Sequence, residues 1–255
     1  MVIIFAVFIA AVVIIVCVSN SSRKSAEAEE GAQYIRTMEG RDPVAIENSI
    51  FQASRQKVID EMKEKLAEDP DAVWKALSDV NTVLMGDSRV VGFDVFGFMD
   101  PSRVIAEGGA TIRVIPEYYD TLKALNPNLL VLSYGVNDMN NYWYWETKEE
   151  YIAELMQTMG ELNELLPNAY IYVQTMFPVT EVGLESSSHW AEIPDWNASI
   201  KAACEEHGFR YIDLEHLGYE HMDEYAEDGI HLMYSFYPTW GNAILMKYLE
   251  DSGAL

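Results

Sequence analysis

Three short stretches of this 255-residue chain hold side chains suited to acyl transfer, and a fourth holds a backbone that can support it. Gly86-Asp87-Ser88 follows an apolar run, so the serine falls at a strand-to-helix turn where its Oγ and backbone N–H can both face a cleft. A serine hydroxyl is a weak nucleophile until a base takes its proton. Asp228-Gly229-Ile230-His231 offers that base: the carboxylate stands three residues before the imidazole, close enough for one loop to present both. A second apolar run ends in Ser133-Tyr134-Gly135-Val136-Asn137-Asp138, where an Asn amide can stabilise an oxyanion. Another ends in Glu107-Gly108-Gly109-Ala110-Thr111, and a glycine there lets a backbone N–H approach a ligand with no Cβ in the way. Taken singly, each stretch is ordinary turn chemistry. Their joint occurrence, in this chain order, points to a serine hydrolase.

The elements that must position these groups follow from the patterning. Short apolar runs at Thr82 to Met85, Arg103 to Ala106, Leu129 to Ser133, Tyr170 to Thr175 and Arg210 to Asp213 alternate with helical stretches near 114–125, 148–165 and 195–207. That alternation predicts an α/β fold, a three-layer α/β/α sandwich around a five-stranded parallel sheet. In such open sheets functional groups gather at the carboxyl ends of the strands, which is where Ser88, Gly109 and Asn137 fall. The domain is expected to span residues 81–255. Before it, Ile46, Ile50, Val58, Met62, Leu66, Val73 and Leu77 recur at helical spacings, predicting two amphipathic helices broken near Pro70, a helical spacer over 43–80.

Residues 19–42 are polar and read as a tether. Residues 2–18 are uninterruptedly apolar, at the short end of what spans a bilayer. They lack a basic n-region and a small-x-small cleavage site, which favours a transmembrane anchor over a cleaved signal segment. Arg23 and Lys24 favour a cytoplasmic flank, yet a long domain translocates largely regardless of charge. The expectation is an extracytoplasmic catalytic domain held to the membrane through this helix, or a secreted one if the leader is cleaved.

Composition excludes several classes. The formal net charge of −24 would repel a polyanion over most of the surface, so no nucleic-acid partner is expected. Only Cys17 and Cys204 are present, one of them in the leader, so no disulfide framework stabilises the folded domain. No Cys/His spacing suggests zinc, and neither a metal nor an organic cofactor is expected.

With its four stretches in order, the chain resembles the SGNH or GDSL hydrolase family, whose blocks are Gly-Asp-Ser, a Gly, Gly-x-Asn-Asp and Asp-x-x-His. The resemblance covers about residues 79–253. It implies a flavodoxin-like fold and esterase activity through an acyl-enzyme on Ser88, with His231 as base and Asp228 as its orienter. It also implies an oxyanion hole from Ser88, Gly109 and Asn137; Gly108 is the alternative to Gly109, whose Gly-x-Thr setting is closer to the family's pattern. The related α/β-hydrolase elbow is disfavoured, because Val90 stands where its second glycine would. Directly after the Asn137 block, Tyr142, Trp143, Tyr144 and Trp145 form an aromatic run suited to stacking on sugar rings or enclosing acyl chains. The expected substrate is a short-chain acyl ester, acetyl first, on carbohydrate. Two further readings are O-acyl transfer to a cell-surface glycan, which the same residues would serve, and a membrane-tethered glycan-binding protein whose catalysis has been lost.

Overall fold

In a computed structural model, which describes residue 29, residues 42–141 and residues 143–253, the apolar runs form one five-stranded parallel sheet. Strands β1 (Thr82–Gly86), β2 (Val104–Ala106), β3 (Leu129–Ser133), β4 (Tyr170–Gln174) and β5 (Arg210–Ile212) lie in the order β2-β1-β3-β4-β5. Winding reverses between β1 and β3, which opens a crevice at their carboxyl ends. Gly86 is level with Ala106 of β2 and with Ser133 of β3, so the loops leaving these three strands start side by side.

The helices are α1 (Pro43–Glu68), α2 (Ala72–Asp79), α3 (Ser88–Val95), α4 (Tyr119–Leu125), α5 (Lys148–Leu165), α6 (Glu181–Ser186), α7 (Ile193–His207), α8 (Glu215–Glu220) and α9 (Phe236–Ser252). Alternate residues of each strand point to opposite faces, and here both faces are apolar because both are covered. Val83, Met85, Leu130, Leu132, Ile171 and Val173 pack with Leu122 of α4, Leu155 and Met159 of α5 and Ile200 of α7. Leu84, Val131, Tyr172 and Ile212 pack on the other face with Leu77 of α2, Phe93 of α3 and Trp240, Ile244 and Leu245 of α9. The three-layer expectation holds, and the strand ends differ from it by at most one residue.

One boundary changes. The compact unit runs from Ser54 to Leu255, so residues 54–80 belong to it and are not a spacer. The reason is burial: Ile59 and Met62 of α1 and Val73 and Leu77 of α2 share one core with Leu84 and Trp240. The proposed anchor at 2–18 and, apart from residues 29 and 42, the tether at 19–42 lie outside the described residues. Among the described residues no helix is long and apolar enough to cross a membrane.

The position of α3 relative to the sheet is set by two close approaches. The Tyr237 hydroxyl on α9 donates to the Arg89 carbonyl at 2.7 Å, and it reaches α3 because Gly92 has no side chain: a Cβ there would lie 2.0 Å from that oxygen. At the turn itself, a Cβ on Gly86 would lie 2.5 Å from the Ser133 carbonyl oxygen and 2.2 Å from Val90 Cγ2. Backbone cannot yield as a flexible side chain does, so Gly86→Ala is expected to lower the unfolding free energy by about 1–3 kcal/mol, the usual cost of overpacking. Urea denaturation checks this as a lower midpoint with an unchanged slope.

Candidate active site

Each residue of Gly86-Asp87-Ser88 has its own physical task. Gly86 lets β1 and α3 crowd against β3, as above. Asp87 is the N-cap of α3: its Oδ1 accepts the Arg89 N–H at 3.0 Å while the residue is only 2% exposed. Burial pushes its carboxyl above the usual carboxylate range, and the neighbouring Arg89 charge opposes that shift. Ser88 then opens the helix, where a first-turn N–H has no intrahelical acceptor and is free to point at a ligand.

The structure brings Ser88, His231 and Asp228 together across 143 residues of sequence. Ser88 Oγ lies 2.8 Å from His231 Nε2, and His231 Nδ1 lies 2.6 Å from Asp228 Oδ2. Asp228 Oδ1 accepts the Ile230 and His231 N–H groups, each at 2.9 Å, so one side chain fixes both its own loop and the ring. Partial burial works against ionisation of Asp228, but the His231 ring, the two backbone N–H groups and the imidazole charge outweigh it and hold the carboxyl at about 2. An ionised Asp228 keeps the proton on Nδ1, which leaves the Nε2 lone pair for the Ser88 hydroxyl. The arrangement can take a proton from Ser88 and return it to a leaving group.

The other two strand-end loops meet beside Ser88's strand. Asn137 Nδ2 donates to the Ala110 carbonyl at 3.1 Å, which uses one amide hydrogen and leaves the second for a ligand. Gly109 adopts φ +79°, a left-handed conformation that favours glycine, and a Cβ there or on Gly108 would meet nothing. Asp138, buried at 2% exposure, ties the two loops together: its Oδ1 accepts the Ile112 N–H and its Oδ2 the Gly135 N–H, both at 2.9 Å. Burial pushes this carboxyl up to about 7, against the pull of those donors and with added repulsion from Asp87. Among the described residues no group of three or more His, Cys, Asp or Glu side chains is placed to hold a metal ion.

Sequence reasoning missed Arg89. It is 3% exposed, and its guanidinium donates to the Ile230 carbonyl (Nε, 2.9 Å), the Phe177 carbonyl (Nη1, 2.8 Å) and the Pro178 carbonyl (Nη2, 3.3 Å). It thus links the residue after Ser88 to the residue before His231. The available signal was an arginine inside an otherwise apolar helix start, Ser88-Arg89-Val90-Val91, a place where charge is rarely buried unless it is fully bonded.

The aromatic run after Asn137 is divided by the fold. Trp145 is 5% exposed and its Nε1–H donates to Glu154 at 2.7 Å, so it is a packing residue, correcting its assignment to substrate; a bulky ring in the core contributes most by burial. Tyr144 is half exposed, with the Arg113 guanidinium 4.7 Å over its ring. Trp143 is 94% exposed and keeps its faces open, and Tyr142 lies outside the described residues. A second aromatic patch escaped the sequence reading: Tyr234, three residues beyond His231, packs its ring on Phe96, 5.6 Å between centroids, and both remain partly exposed.

Comparison with known proteins bears on family and fold. The sequence model of the GDSL-like Lipase/Acylhydrolase family matches residues 85–236, which include Ser88, Asn137, Asp228 and His231. No curated protein matches. Among solved structures, a Bacteroides fragilis protein assigned as an acylhydrolase superposes with a TM-score of 0.53 at 17% identity, over 68% of this chain and 88% of its own. A GDSL-like lipase from Bacteroides thetaiotaomicron gives a TM-score of 0.51 at 16% identity, over 70% and 98%. At such identities the likeness concerns the fold.

Arg89 is best tested by Arg89→Lys, which keeps the charge and loses the planar fork. The expected result is a fall in kcat of about 10- to 100-fold on p-nitrophenyl acetate with KM little changed, as misplacement of reacting groups produces. A lower melting temperature with kcat intact would reduce Arg89 to a structural role.

Proposed function

We propose that this chain, which belongs to the GDSL-like lipase/acylhydrolase family, is a serine esterase acting on short-chain acyl esters, acetyl first, carried by carbohydrate. The observation that carries the reading is the continuous hydrogen-bonded chain from Ser88 Oγ through His231 to Asp228. Ser88 attacks the ester carbonyl as His231 Nε2 takes its proton. The tetrahedral oxyanion is held by the N–H groups of Ser88 and Gly109 and by the free amide hydrogen of Asn137. Collapse expels the alcohol, which receives the proton from His231, and leaves an acyl-enzyme on Ser88. Water, deprotonated by the same ring, then releases the acid.

The substrate preference follows from exposure. The side chains of His231 and Asp228 are 44% and 45% exposed, so the reacting groups sit at an open rim. An open rim suits a small acyl group on a large alcohol better than a long acyl chain, which gains most from a closed apolar cavity. Trp143 beside the Asn137 loop and the Tyr234–Phe96 pair beyond His231 offer ring faces to a sugar. The same openness admits water, which favours hydrolysis over transfer to a second alcohol. An intact Ser–His–Asp chain speaks against a binding protein that has lost its chemistry.

The test is a profile of p-nitrophenyl esters from acetate to decanoate together with acetylated oligosaccharides, on the parent and two variants. Ser88→Ala should reduce turnover by at least about 1,000-fold while the fold is retained, and Asn137→Ala by about 100-fold through kcat. Acetate should exceed octanoate in kcat/KM. Turnover unchanged in Ser88→Ala removes the mechanism, and a preference for decanoate removes the substrate assignment while leaving the mechanism standing.

A further inference from the structure

The segment that leaves β4 and enters α7 touches both loops that carry the reacting groups. In the sheet β4 stands between β3, which leads into the Asn137 loop, and β5, from which the chain goes on to His231. At its start the segment grips the loop of the acid and base. The Thr180 N–H donates to the Gly229 carbonyl at 2.9 Å, between Asp228 and His231. The approach is close: a Cβ on Gly229 would lie 2.0 Å from Thr180 Oγ1, and one on Gly183 of α6 would lie 2.7 Å from the Gly229 carbonyl oxygen. Just before, the Pro178 carbonyl accepts the Tyr225 hydroxyl at 2.8 Å.

The far end of the same segment grips the Asn137 loop. Trp190 Nε1–H donates to the Val136 carbonyl at 2.8 Å, and the Ser187 hydroxyl donates to Asn140 Oδ1 at 2.6 Å. The bond from Ser187 orients the Asn140 amide so that its Nδ2 faces the Val136 carbonyl too, at a longer 3.4 Å. That carbonyl belongs to the planar peptide that continues into the Asn137 N–H and Cα, so holding it fixes the base from which the Asn137 side chain extends. Val136 is buried, and without the indole its carbonyl would keep only the longer bond. The Asn137 amide itself is tied to Ala110 in the loop after β2.

We propose that Trp190 is a positioning residue for ester hydrolysis: through the Val136 carbonyl it sets Asn137 at the spacing from the His231 loop at which its amide meets the oxyanion. The inference rests on the esterase reading above. Oxyanion donor and proton acceptor come from loops on either side of β4, and one segment bonded to both fixes the span between them. Misplacing such a donor by about 1 Å costs up to about 100-fold in rate. The loss falls on kcat, because the donor acts on charge that develops only as the reaction proceeds.

Trp190→Phe keeps a ring and removes the N–H, and Ser187→Ala removes the hydroxyl that orients Asn140. Each is made alone and together with Asn137→Ala, and kcat and KM are measured on p-nitrophenyl acetate. Trp190→Phe should lower kcat about tenfold and Ser187→Ala about threefold, each with KM within about twofold of the parent. In the Asn137→Ala background neither should lower kcat by more than about twofold, because the group they position is gone. A structural role alone would lower kcat by the same factor in both backgrounds. That additivity overturns the inference, as does an unchanged kcat in Trp190→Phe; if that variant fails to fold, the same comparison with Ser187→Ala decides. Turnover that survives Ser88→Ala removes the esterase reading and this inference with it, whereas Ser88-dependent turnover with additive losses removes this inference alone.

Discussion

The Ser88–His231–Asp228 geometry joins two stretches of backbone 143 residues apart, and a single buried guanidinium holds them in register. Arg89 has five N–H donors and no means of losing its charge, so it can be buried only where carbonyls surround it. Here the residue after Ser88 donates to Ile230, just before His231, and to Phe177 and Pro178 just beyond β4. Its own carbonyl accepts from Tyr237 of α9. Moving any of these partners would leave a charge or a carbonyl unpaired in the interior, a loss larger than a surface ion pair could offset. The hydroxyl-to-imidazole distance therefore rests on bonds made below the surface, while the His231 and Asp228 side chains remain nearly half open to solvent.

Two buried carboxyls extend the same principle to the rest of the rim. Asp87 caps α3 through one oxygen and Asp138 joins the loops after β2 and β3 through both, so each carboxyl holds backbone N–H groups. Burial raises both above the ordinary carboxylate range, whereas Asp228, partly open and bonded to imidazole and backbone, is held at about 2. Three neighbouring aspartates are thus shifted in opposite directions because they differ in exposure and in partners. The ionised one stands where a positive imidazole would form.

Reading the sequence located the strands to within a residue because a parallel sheet covered on both faces requires short runs apolar at every position, and those runs are visible without alignment. It located Ser88, Asn137, Asp228 and His231 because their local patterns are fixed by turns a few residues long. It set the domain boundary too late, at 81, because amphipathic spacing in Ile59, Met62, Val73 and Leu77 says that a face is buried and not what buries it. The aromatic run was read as one surface for the same reason: alternation cannot show that Trp145 turns inward to Glu154 while Trp143 turns out.

What the sequence determined by itself was local: which segments are strands, which turn carries the serine, which loop carries histidine and aspartate together, and which family pattern they compose. Contacts between residues far apart in the chain were decided only by the tertiary structure. These include the Arg89 bonds to Ile230, Phe177 and Pro178 and the Gly92 gap that admits Tyr237. The physical reason is range. Turn chemistry and strand patterning are set by neighbours within a few residues, whereas burial and hydrogen-bond satisfaction depend on which distant backbone the fold brings into contact.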